Sequence, residues 1–154
     1  IEGTEYSLKD FAATLIAVVV FNDDNYFLCV HLGDGYIFGS LEEKTEIISK
    51  QSNVEYANQT YLFTDPNFDE NLVLIHEKKE KFKFLFITSD GLEPILVKRS
   101  APFSPFFKPL NKFLNDPTNS TIKKKKALDQ IFYRAANEKT LGCYDDLSLI
   151  VVEL

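Results

Sequence analysis

The chain has 154 residues, 45% of them hydrophobic and 26% charged, a balance that fits one folded domain and excludes a disordered tail. Lys and Arg number 17 against 23 Asp and Glu, for a net charge of −6. A negative surface repels phosphodiester backbones and anionic lipid, so neither nucleic acid nor a membrane is an expected partner.

The longest apolar run, Phe11 to Phe21, is well short of the roughly 20 residues that span a bilayer. Cys29 and Cys143 are too few and too far apart for a disulfide framework or a thiolate zinc site. They read as reduced thiols, which places the protein in the cytoplasm. The sequence contains no Met and begins at Ile1, so a segment upstream of it is expected.

In chain order, Phe11–Phe21 is nearly continuous in apolar residues and ends β-branched, which suits a strand buried on both faces, with a helix possible on length alone. The turn cluster Asn22-Asp23-Asp24-Asn25 then leads into a second strand, Tyr26–Leu32, and the two read as a hairpin. After Gly33-Asp34-Gly35, short strands are expected at Tyr36–Phe38, Thr45–Ser49 and Gln59–Thr64, and Asp65-Pro66-Asn67 breaks the chain again. Leu72–His76 and Phe82–Thr88 are two further strands.

Helical spacing of apolar residues follows in Phe103–Leu114, with Pro105 tolerable in a first turn, and in Thr121–Glu138. Lys123–Lys126 reads as a solvated helix face rather than a phosphate or lipid patch. Leu147–Leu154 is a last buried strand. Strands first, helices next and a strand to finish give an α+β class.

Chemistry is suggested by three acidic turns at strand ends: Asp34 in Gly33-Asp34-Gly35, Asp90 in Ser89-Asp90-Gly91, and the pair Asp145-Asp146 before Leu147. In an antiparallel sheet the end of one strand lies beside the start of its neighbour, so such carboxylates can share one rim. Several carboxylates on one rim do not all stay ionised without a cation, and all-oxygen ligation suits Mg²⁺ or Mn²⁺ rather than zinc or copper. Any single Asp-Gly or Asp-Asp turn is more often structural. The set in order carries the argument.

Taken together, Ala12-Ala13-Thr14-Leu15, Val30-His31-Leu32-Gly33-Asp34-Gly35, Phe86-Ile87-Thr88-Ser89-Asp90-Gly91-Leu92 and Tyr144-Asp145-Asp146-Leu147-Ser148-Leu149-Ile150-Val151-Val152 resemble the C-terminal two-thirds of a PP2C-type, metal-dependent protein Ser/Thr phosphatase. Tyr56–Thr64 resembles a segment of the bacterial branch. The resemblance implies an α-β-β-α sandwich of two antiparallel sheets, with residues 1–154 forming a single domain that lacks its N-terminal part. It implies Asp90 and Asp145 as direct ligands of Mn²⁺ or Mg²⁺, two ions or three. Asp34 would support the third ion or stand behind the first two. Gly91 and Asp146 are supporting residues, Asp146 at a position usually filled by Asn. The family's early acidic strand, its metal-bridging Asp-Gly motif and its phosphate-holding Arg have no counterpart in these residues.

The implied reaction is hydrolysis of phosphoserine or phosphothreonine on proteins by a metal-bridged water, which needs no Ser or Cys nucleophile. The implied partner is a phosphoprotein substrate of a Ser/Thr kinase. One alternative is a pseudophosphatase that keeps the fold as an interaction domain without turnover, and another is an unrelated β-rich binding domain whose acidic turns are coincidental. Of the two histidines, His31 reads as a packed core residue, and His76, at a strand end, is open to either a structural or an acid–base role.

Overall fold

The computed structural model describes residues 6–50 and 60–154. The first hairpin forms as its turn cluster requires: β1 (Leu15–Val20) pairs antiparallel with β2 (Tyr26–Leu32), with Val18 opposite Cys29. β3 (Tyr36–Leu41) and β4 (Lys44–Lys50) make a second hairpin. A short α1 (Phe68–Asn71) precedes β5 (Val73–Lys78), which returns to the free side of β2. β6 (Phe84–Thr88) instead joins β3, and β9 (Leu149–Glu153) joins β6. The result is a three-stranded sheet β1-β2-β5 and a four-stranded sheet β4-β3-β6-β9, both antiparallel. Between β6 and β9 run α2 (Glu93–Leu96), a small ribbon of β7 (Val97–Lys98) with β8 (Ala101–Pro102), α3 (Ser104–Asn115) and α4 (Thr121–Asn137).

Residue alternation decides what each face meets. In β6, Leu85 and Ile87 face the space between the sheets, where they pack with Phe27 and Cys29 of β2, Ile16 and Val18 of β1 and Ile37 of β3. Phe84 and Phe86 point the other way, into a second core with Phe38 of β3 and with Leu96, Phe107, Leu110, Leu114 and Ala135 from the helical side. The four-stranded sheet is therefore covered on both faces, which is why β6 reads as an unbroken apolar run. Ring contacts tie the helices down: the Phe107 centroid lies 5.0 Å from that of Phe38 and 5.5 Å from that of Phe86.

This mixed α+β architecture has the two antiparallel sheets expected from the sequence. Among the described residues its helical layer lies against the four-stranded sheet. Several boundaries differ. The run Phe11–Phe21 is not a strand buried on both faces. Phe11 closes a 3-10 turn (Leu8–Phe11), and only Leu15–Val20 is extended, as an edge strand with Val19 46% exposed. Its inward side chains meet the other sheet, while its outward ones face solvent.

The strand expected at Gln59–Thr64 is absent over residues 60–64, and Gln59 lies outside the described residues. There the Asp65 carboxylate accepts the Leu62 amide at 2.8 Å and the Asp65 amide donates to the Leu62 carbonyl at 3.0 Å, which turns the chain. β3 runs on to Leu41 because Gly39 and Ser40 are paired on both sides, by β4 and β6. Lys123, Lys125 and Lys126 face solvent as expected, and Lys124 reaches Glu153 at 3.5 Å.

Candidate metal rim

The pairing register puts Tyr36 of β3, Thr88 of β6 and Leu149 of β9 side by side in one row across the four-stranded sheet. Asp34 lies two residues before Tyr36, Asp90 two after Thr88, and Asp145 and Asp146 shortly before Leu149. All three acidic turns thus leave the same edge of the sheet, as the antiparallel argument predicts.

Each turn is fixed locally. Gly33 and Gly35 have φ of 91° and 111°, in a region that L side chains rarely adopt. A Cβ on Gly35 would meet the Thr88 carbonyl, so the turn carrying Asp34 lies directly against the end of β6. The Thr60 hydroxyl donates to Asp34 Oδ2 and orients that carboxylate. Asp90 opens a 3-10 turn, Asp90–Leu92, that runs straight into α2.

The turns carrying Asp90 and Asp145-Asp146 are interlocked. Ser89 Oγ donates to the Asp146 carbonyl at 2.9 Å and accepts from the Ser148 amide at 3.0 Å. The Ser89 amide lies 3.3 Å from the Ser148 carbonyl and 3.2 Å from its hydroxyl. The buried Thr88 hydroxyl donates to the Ser148 carbonyl at 2.9 Å. Gly91 completes the fit, because a Cβ there would collide with the Asp146 carbonyl oxygen. The sequence motifs singled out Gly91, Asp145 and Asp146, and passed over Ser89, Ser148 and Thr88. Their signal was the ordinary one of serine in turns, a hydroxyl bonding to nearby backbone.

Electrostatics mark Asp90 as the centre of the rim. Burial is the main cause that raises its carboxyl above the ordinary 3.8, and the charges of Asp145 and Asp34 push it in the same direction. Tyr36, which sequence reading left out, joins them. Its phenol is held neutral first by burial, then by Glu93, Asp90 and Asp34.

His31 is a packed core residue, as expected. It is buried, its Nδ1 lies 2.8 Å from Ser49 Oγ, and burial lowers its pKa. His76 resolves to the outer face of β5, stacked on Tyr26 with ring centroids 4.5 Å apart. Cys29 is buried, with its thiol pushed up to about 11, and is not poised as a nucleophile.

The donor set fits a hard divalent cation in type, since the rim offers carboxylate oxygens and neither thiolate nor imidazole. Among the described residues no three His, Cys, Asp or Glu side chains converge closely enough to hold an ion unaided. Asp90 therefore has negative neighbours without forming a closed cage with them.

Comparison with known proteins decides the family. The family model described as protein phosphatase 2C matches residues 2–132. The chain belongs to that family. No curated protein matches. Among solved structures, serine/threonine phosphatase Stp1 from Staphylococcus aureus is similar at a TM-score of 0.63 and 16% identity, with 93% of this chain and 56% of that one covered. PppA of Pseudomonas aeruginosa gives 0.62 and 17%, covering 92% and 57%. The catalytic domain of the serine/threonine phosphatase PstP, solved with 2 manganese ions, gives 0.61 and 15%, covering 92% and 58%. The chain thus spans little more than half the length of these protein phosphatase 2C structures.

Proposed function

We propose that the rim is part of a divalent-metal centre, for Mn²⁺ or Mg²⁺, in a phosphatase acting on phosphoserine and phosphothreonine in proteins. The observation that carries this reading is the gathering of three acidic turns on one sheet edge, where Asp90 feels the charges of Asp145 and Asp34. Family membership and the manganese-bound PstP relative support the same assignment. Asp90 and Asp145 are the direct ligands, Asp34 serves a third ion or orients the first two, and Gly91 and Asp146 keep the two loops in contact. Residues 1–154 act as one domain unit. The protein works in the cytoplasm, on phosphoproteins made by a Ser/Thr kinase, without nucleic acid or membrane as partner.

At such a rim a divalent cation supplies neutralisation of phosphoryl charge and a water acidified enough to attack. The protein's own part is electrostatic and positional. Partial burial and two negative neighbours make the ionised form of Asp90 costly, a cost that a bound cation would relieve. The Ser89 lock holds the Asp145 loop against it. The Thr60 hydroxyl fixes the direction in which Asp34 presents its free oxygen.

The test is a Mn²⁺ titration by isothermal calorimetry, paired with Mn²⁺-dependent hydrolysis of p-nitrophenyl phosphate. Asp90→Asn and Asp145→Asn are expected to weaken Mn²⁺ binding at least tenfold and to remove turnover, with an unchanged circular dichroism spectrum. Asp34→Asn is expected to have a smaller effect on affinity. Unaltered affinity in both Asp90→Asn and Asp145→Asn would refute the site.

A further inference from the structure

Away from the rim, on the helical side, a cavity of about 290 Å³ opens between α2, β7, α3, α4 and the 3-10 turn Lys139–Leu141. Ile95, Phe106, Ile131 and Leu141 give it an apolar lining, and the exposed cations Lys98 and Arg134 stand at it. Arg134 Nε and Nη2 are taken by Glu138, at 2.8 and 3.3 Å. Lys98 has no carboxylate partner among the described residues, and its Nζ stands 6.0 Å above the Phe103 ring. An unpaired ammonium beside an apolar pocket is complementary to a ligand with one negative charge and an apolar body. A volume near the lower end of small-molecule sites, about 300–1,000 Å³, suits a compact ligand rather than a folded partner.

The pocket also has a distinctive connection to the rim. Ile95 lies on the short helix that follows the Asp90 turn without a break. Leu141 ends the turn that leads, through Gly142, to Asp145. Gly142 takes a left-handed φ of 77°, and a Cβ on it would touch Pro94 of α2 at 3.6 Å. The two segments that carry Asp90 and Asp145 are therefore in contact a second time here, and both line the pocket.

We propose that this cavity is a binding site for a small monocarboxylate with an aliphatic or aromatic body. The carboxylate pairs with Lys98, and the apolar body lies against Ile95, Phe106, Ile131 and Leu141. Seating such a ligand bridges α2 to the 139–141 turn and stiffens the approach to Asp145.

Octanoate, below its micellar range, is the probe, followed by two-dimensional NMR of the isotope-labelled chain and by amide hydrogen exchange. Saturable shifts are expected in residues 94–98, 103–106, 131–134 and 139–142, together with slower exchange over 140–146. Lys98→Glu is expected to weaken binding by about tenfold or more, the scale of a lost charge-assisted hydrogen bond. Lys98→Arg retains most of it. Because Lys98 is exposed, neither variant threatens the fold.

Shifts centred elsewhere, such as on the outer face of β1 and β5, would mean non-specific uptake and overturn the site. An equal affinity in Lys98→Glu, or no saturable shifts at millimolar octanoate, would overturn it as well. Asp90→Asn is expected to bind octanoate normally, so loss of the metal assignment and loss of this site are separable results.

Discussion

Asp90 gives the sharpest prediction at the scale of single residues. Its carboxyl is raised by burial and by like charges, so the folded state holds that proton more tightly than the unfolded chain does. The stability from this group is fully present below the ordinary 3.8 and is lost as pH rises through the raised folded-state value. Asp90→Asn is therefore expected to be at least as stable as the parent to urea at pH 7 in the absence of metal, with the advantage vanishing toward pH 3. A carboxylate serving only as a structural turn residue would give the opposite result at pH 7.

Ser89→Ala removes the hydroxyl that binds both the Asp146 carbonyl and the Ser148 amide. It should cost about 1 kcal/mol in urea denaturation, as expected for partly exposed hydrogen bonds. It should also speed amide exchange at Ser148 more than in the core strands.

Packing at the level of elements makes α3 the main support of the helical layer. It buries Phe107, Leu110 and Leu114 against the aromatic face of β3 and β6. Phe107→Ala is expected to cost about 3–5 kcal/mol, read as a lower urea midpoint with little change in slope. These elements were largely legible. The turn cluster at Asn22–Asn25 announced the first hairpin, and the apolar residues of Phe82–Thr88 announced a strand.

The exposed side of β1 was not legible, because an apolar run does not say what lies against each of its faces. The turn at 60–64 escaped because one side chain, Asp65, outweighs the β propensity around it. At the rim, the carboxylates could be read as turn residues next to strands. The lock between their loops could not, since it joins residues 57 and 59 positions apart through backbone atoms.

Seen whole, the molecule is asymmetric in how its sheets are covered. The four-stranded sheet has a packed partner on each face, while the three-stranded one leaves Val19 and Leu74 46% and 63% exposed on its outer side. Apolar residues left in solvent favour self-association. Leu74→Glu is accordingly expected to raise the concentration at which the chain stays monomeric in sedimentation velocity, without lowering its thermal midpoint.

The interlock between Ser89 and the Asp146 loop has a different kind of consequence. Its bonds on the far side are made by the carbonyl of residue 146, which every amino acid provides, and the amide of residue 148, which all but proline provide. Position 146 can thus be rewritten by mutation without loosening the frame around it. The fold lets the side chain at position 146 vary while the contact between the two loops is kept.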